Sequence, residues 1–244
     1  MFKYQNRVAK LSGLAALALF AMGTSQASAL AIWNGTSPAA NDSTSWASLG
    51  GDGTAIASPF TATSADGIAI TGTLAGGSGL VAVAGVSWTP VTAPFVAGDH
   101  LVWTLNNTTN TGTAPLTLAF GTAVLAGGLD IQSDVTGMFT ADVQAFNGGT
   151  SLGTEMVTSD AAGDPIFIGA QDTTADITSL VFSCTGACGN NDFAVDTLSS
   201  VNPQVVPAPL LGFGLPVFLA VGGLWFGAKL LERGRRGVGL FDVA

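Results

Sequence analysis

Phe139-Thr140-Ala141-Asp142-Val143-Gln144-Ala145-Phe146, followed by Asn147-Gly148-Gly149-Thr150, is the most legible stretch of this sequence. Phe139, Ala141, Val143 and Ala145 fall on one face of an extended chain, and Thr140, Asp142 and Gln144 on the other. That period of two belongs to a strand with one side in a core. Asn and Gly accept positive φ cheaply, so residues 147–150 read as the turn of a hairpin. Residues 151–158 then form the returning strand.

The same grammar extends in both directions. Further strands are expected at 68–74, 80–86, 101–105, 116–120, 124–131, 166–170, 177–183 and 193–198, each bounded by Gly, Asn, Asp or Pro. No helix-length 3.6-residue periodicity occurs between 30 and 198. About ten closely spaced strands predict an all-β fold, an antiparallel β-sandwich or jelly roll. Residues 30–50, rich in Ser, Asn and Ala, are expected to be a loosely ordered lead-in or an edge strand.

The chain has 244 residues, of which 9% are charged and 48% hydrophobic. Lys3, Arg7 and Lys10 open it, and Lys229, Arg233, Arg235 and Arg236 lie near its end; those seven are all its Lys and Arg. Of the 16 acids, only Glu232 and Asp242 lie beyond residue 228. The middle is therefore strongly anionic, which excludes a nucleic-acid-binding surface and chemistry that needs Lys or Arg.

The charge placement also organises the ends. Residues 1–29 read as a signal peptide: a basic start, an apolar run over 11–22, and Ala27-Ser28-Ala29 as the site for signal peptidase. Residues 210–231 are apolar and uncharged except for Lys229 near their end. At 1.5 Å per residue they reach about 33 Å, enough for one transmembrane helix. Basic residues flank both segments on their outer sides, so the positive-inside rule puts residues 30–206 across the membrane from the cytoplasm. The organisation expected is signal peptide 1–29, ectodomain 30–198, linker 199–209, transmembrane helix 210–231 and basic cytoplasmic tail 232–244.

Val206-Pro207-Ala208-Pro209, then the apolar segment, then Arg233, Arg235 and Arg236 resemble the sorting tail of PEP-CTERM proteins. Ala208 stands where that family usually has Glu, and residues 237–244 run past the arginines. The resemblance implies processing by an exosortase, a membrane protease-transpeptidase, in a Gram-negative bacterium with an exopolysaccharide system. Independently of the family, the two prolines forbid a regular helix at the membrane border and leave an extended backbone a protease can grip. The stretch from Ile166 to Asp196 also resembles, more loosely, the closing strands of jelly-roll ectodomains in that family. These are similar to carbohydrate-binding modules, in which an Asp near the last strand helps hold calcium.

Chemistry-bearing residues are few. His100, next to Asp99, is the only histidine, and no Gly-x-Ser-x-Gly elbow accompanies it. Asp192 and Asp196, four apart on a strand, would stand about 13 Å apart, too far for a glycosidase couple. Calcium is the metal an acid-rich chain without competing cations could take, with Asp196 and then Asp192 as candidate ligands. Gly50-Gly51-Asp52-Gly53 is a single weak copy of a calcium-binding repeat. Cys184 and Cys188 are expected to pair in an oxidising compartment. Trp33 and Trp46 sit in loop-like sequence and are the tryptophans freest to bind a sugar, whereas Trp103 is expected in the core. The function expected is that of a non-enzymatic, membrane-tethered surface or matrix protein, structural or adhesive and linked to exopolysaccharide. A carbohydrate-binding module is the alternative, and a hydrolase the more distant one.

Overall fold

The computed structural model describes residues 30–203, except 37, 90–94, 107, 110, 190 and 191. The signal peptide, the sorting motif Val206-Pro207-Ala208-Pro209, the apolar segment and the arginine cluster lie outside the described residues. Among the described residues, no helix is long and apolar enough to cross a membrane.

The chain folds into two large antiparallel sheets. The smaller runs in the order β13 (Thr150–Thr158), β12 (Phe139–Asn147), β15 (Ile177–Gly186), β10 (Leu116–Val124), β5 (Ala69–Leu74) and β4 (Phe60–Thr63). The larger follows the order β1 (Ala31–Trp33), β14 (Ile166–Gln171), β11 (Ala126–Ser133), β16 (Phe193–Val195), β7 (His100–Trp103), β6 (Ser78–Val83) and β3 (Ala55–Ala57). On β11 it also carries β17 (Leu198–Val201), which in turn pairs β2 (Asp42–Thr44). A small ribbon of β8 (Leu105–Asn106) and β9 (Thr111–Gly112) hangs off the larger sheet.

From β10 to β16 the chain crosses between the sheets at every connection but the β12–β13 hairpin, and the inward residues of both form one core. Leu118, Val143, Leu180 and Phe182 from the smaller sheet meet Val102, Leu129, Ile131 and Val195 from the larger. Phe139, Ala141, Val143 and Ala145 are all buried, and Thr140, Asp142 and Gln144 face outward. The returning strand has one extra residue: Ala145 pairs with Gly153 and Phe146 with Ser151, so Leu152 is the bulge.

At the domain's borders, one expectation resolves to its edge-strand form and one is corrected. Residues 30–50 hold β1 and β2, both short edge elements, and a 3-10 helix over Trp46–Leu49. The expected linker does not begin at 199: Ser199, Ser200 and Val201 are paired strand residues, and Ser200 and Val201 are buried. Ser-Ser-Val shows no apolar alternation, yet β17 earns its place through backbone pairing to two strands at once.

Candidate functional site

The register of the larger sheet gives its outer face a distinct character. Leu80, Trp103, Ala194 and Gln132 stand side by side across β6, β7, β16 and β11. Their chain neighbours Val81, Val102, Val195 and Ile131 point the other way, into the main core. Trp88 and Phe95, from the chain between β6 and β7, lie on this outer face. With Ala82, Leu101 and Ala194 they make a second, small apolar cluster. Trp88 donates its indole N–H to Gln132 Oε1 at 2.8 Å and meets the Trp103 ring edge-on, centroids 5.3 Å apart.

Carboxylates surround that cluster. Trp103 is half-buried and donates its Nε1–H to Asp192 Oδ1 at 2.7 Å. Burial raises the Asp192 pKa, the Trp103 hydrogen bond lowers it and the nearby Asp134 charge raises it again; the outcome is a value of about 6. Asp196 lies past the other end of β16. Burial pushes its pKa up, a hydrogen bond from the Thr197 N–H opposes that, and the charges of Asp99 and Asp130 add to the rise. Burial alone raises Asp130 and Asp134. No Lys or Arg lies between residues 11 and 228 to offset these charges.

The structure thus separates Asp192 from Asp196. Only Phe193–Val195 is strand, and the two aspartates flank it, the first beside Asp134, the second beside Asp99 and Asp130. Among the described residues, no group of three or more His, Cys, Asp or Glu is arranged to hold a metal ion. Asp52 of the Gly-rich stretch accepts from the Val83 N–H and the Ser87 hydroxyl, an ordinary tie across the sheet edge. His100 opens β7 opposite Val83 and makes no side-chain hydrogen bond among the described residues. Cys184, on β15, and Cys188 are joined by a disulfide.

The tryptophan expectations are reversed. Trp33 and Trp46 are fully buried. Trp33 donates to the nearby Pro38 carbonyl and packs edge-on against distant Phe167, while Trp46 donates to the distant Asp196 carbonyl and packs edge-on against Phe60. Trp103, expected in the core, keeps part of its ring at the surface instead.

A second polar centre escaped the sequence reading because its members are far apart in the chain. Asp42 on β2 is buried, which disfavours its charge. Hydrogen bonds from Ser64, from Asn202 and from the N–H groups of Asp66 and Ser43 outweigh this and hold its pKa below the ordinary carboxylate value. Asn202 also exchanges hydrogen bonds with Asn41, so the residue after β17 is tied to the residue before β2. Beside this knot, Ser43, Ser45, Ala47, Ser48, Thr63, Ser64 and Ala65 line a cleft of about 310 Å³.

These features define an all-β protein of two antiparallel sheets, polyanionic on one outer face. No protein-family model matches the chain, and no curated protein matches it. The crystal structure of a DUF4465 family protein from Bacteroides caccae is similar at 13% identity, covering 65% of this chain and 98% of that one with a TM-score of 0.39.

Proposed function

We propose that this chain is an exported surface or matrix protein of a Gram-negative bacterium, structural or adhesive in role and linked to exopolysaccharide. Its apolar tail tethers it first, and the motif at Val206-Pro207-Ala208-Pro209 directs its sorting by an exosortase-type protease. The observation that carries the reading is how the described domain ends. β17 is clamped between β11 and β2, and Asn202 is bonded to Asn41 and Asp42. Pro203, Gln204 and Val205 alone separate that knot from Val206. A pull on the tail reaches β17 first, and backbone hydrogen bonds hold that strand on both sides. The Cys184–Cys188 disulfide fits an oxidising compartment.

The test is intact mass combined with fractionation of native cells. The reading expects a C-terminus near residues 206–209 and protein outside the inner membrane. Retention of Ala244 in the inner membrane would overturn the sorting step.

A further inference from the structure

The geometry points to the cleft between β2, the 3-10 helix and the β4–β5 turn as a binding site for one unit of a neutral, polyhydroxylated ligand, a sugar residue of an uncharged glycan. The inference rests on the surface-protein reading above and gives it a specific partner and place.

The cleft is a built feature. The Ala65 N–H donates to the Ser43 carbonyl at 2.8 Å and closes it on one side. The Ser45 hydroxyl accepts from the Ala47 N–H and starts the helix on the other. Buried Trp46 fixes that helix against Phe60. Its volume of about 310 Å³ falls at the small end of ligand pockets, which run from about 300 to 1,000 Å³.

The lining decides the ligand class. Ser64 spends its hydroxyl on Asp42 and on the Ile68 N–H. Ser43, Ser48 and Thr63 are exposed, and their hydroxyls have no protein partner among the described residues. Each can donate and accept at once. No charged side chain lines the cleft. The Asp42 carboxylate beside it is buried and saturated with donors. A cation therefore finds no carboxylate in the lining, and an anion finds no positive group anywhere between residues 11 and 228. An apolar ligand would desolvate the hydroxyls without replacing their bonds. A neutral ligand with its own hydroxyls suits all of them. Thr63 is also the end of a hydroxyl row: Thr61, two residues back on β4, stands beside Thr71 of β5, and all three are exposed. Alternate residues of β4, which share a face, are about 6.6 Å apart, so the row offers further contacts to a chain of sugars leaving the cleft.

The test titrates the full-length protein, in detergent, with neutral probes (glucose, galactose, mannose and N-acetylglucosamine, with their short oligomers) and with glucuronic acid oligomers as the anionic comparison. Calorimetry reads affinity. At least one neutral probe should bind at least tenfold tighter than the anionic one. The double variant Ser48→Ala/Thr63→Val, which removes two exposed and unbonded hydroxyls, should weaken binding at least tenfold with unchanged Tm. Ala47→Trp, which fills the cleft, should abolish it. Equal affinity for neutral and anionic probes, unchanged binding in both variants, or no binding of any neutral probe overturns the inference. Cell fractionation is unaffected by these outcomes and judges the surface reading separately.

Discussion

Replacing Asp192 by Asn should stabilise the protein at neutral pH and leave it nearly unchanged in acid. Asp192 is 9% exposed, and its pKa is raised from 3.8 to about 6. A raised carboxyl pKa means that the folded state holds the proton more tightly than the unfolded state between those two values. Folding is then favoured at low pH, and stability falls as pH climbs through about 4 to 6. Each pKa unit is worth about 1.4 kcal/mol. Full ionisation therefore costs the fold up to about 3 kcal/mol, and water reaching the open side of Trp103 reduces this to about 1–3 kcal/mol. Asn keeps an oxygen for the Trp103 N–H while removing the charge beside Asp134. Urea unfolding followed by tryptophan fluorescence from pH 4 to 8 reads the difference. Asp130, Asp134, Asp142 and Asp196 are raised in the same direction, so the variant should flatten the wild-type slope without removing it. Wild-type stability that is flat or rising from pH 4.5 to 7 would refute the reasoning. So would an Asn variant less stable than wild type at pH 7.5.

Two further outcomes follow from the core and the cross-link. Gly72 on β5 lies opposite Phe60, whose ring covers the space a Cβ would need and is itself wedged against Trp46. Gly72→Ala should therefore cost about 1–3 kcal/mol by overpacking, read as a lower urea midpoint at constant slope. Reducing the Cys184–Cys188 disulfide, whose members are four residues apart, removes a short-loop constraint worth about 2 kcal/mol in the chain-entropy picture. Denaturation with and without reductant measures it, and a loss above 5 kcal/mol would mean that the loop holds more of the fold than its length implies.

How far the sequence could be read depended on where each element finds its partner. β12 and β13 were legible because the hairpin carries its own turn, its alternation and its neighbour within twenty residues. β14, β15 and β16 were legible because each carries a dense apolar run that the core buries. Trp33, Trp46 and β17 were not, because what buries them lies elsewhere in the chain. The acceptor of the Trp46 N–H is Asp196, 150 residues away, and the partner of Ser199 is Ser43. A three-residue strand of Asp-Ser-Thr has no period to detect, and it is held by the backbone ladder to β17 and by the donors gathered on Asp42, most of them supplied from elsewhere in the chain. The same distance hid Asp42, whose donors come from Ser43, Ser64, Asp66 and Asn202. Acidic residues could be counted from composition, but which are held ionised and which are driven toward the neutral form is decided by donors and burial. Asp42, with donors, stays charged; Asp192, buried with one indole N–H against it and a like charge nearby, is driven toward protonation. The knot of β2, β17 and Asn202 is thus both the domain's least legible part and the place where it meets its tail. If the tether reading holds, the two ends of the described domain are stitched together where force would enter, and Asn202→Ala should weaken that stitch before it disturbs the core.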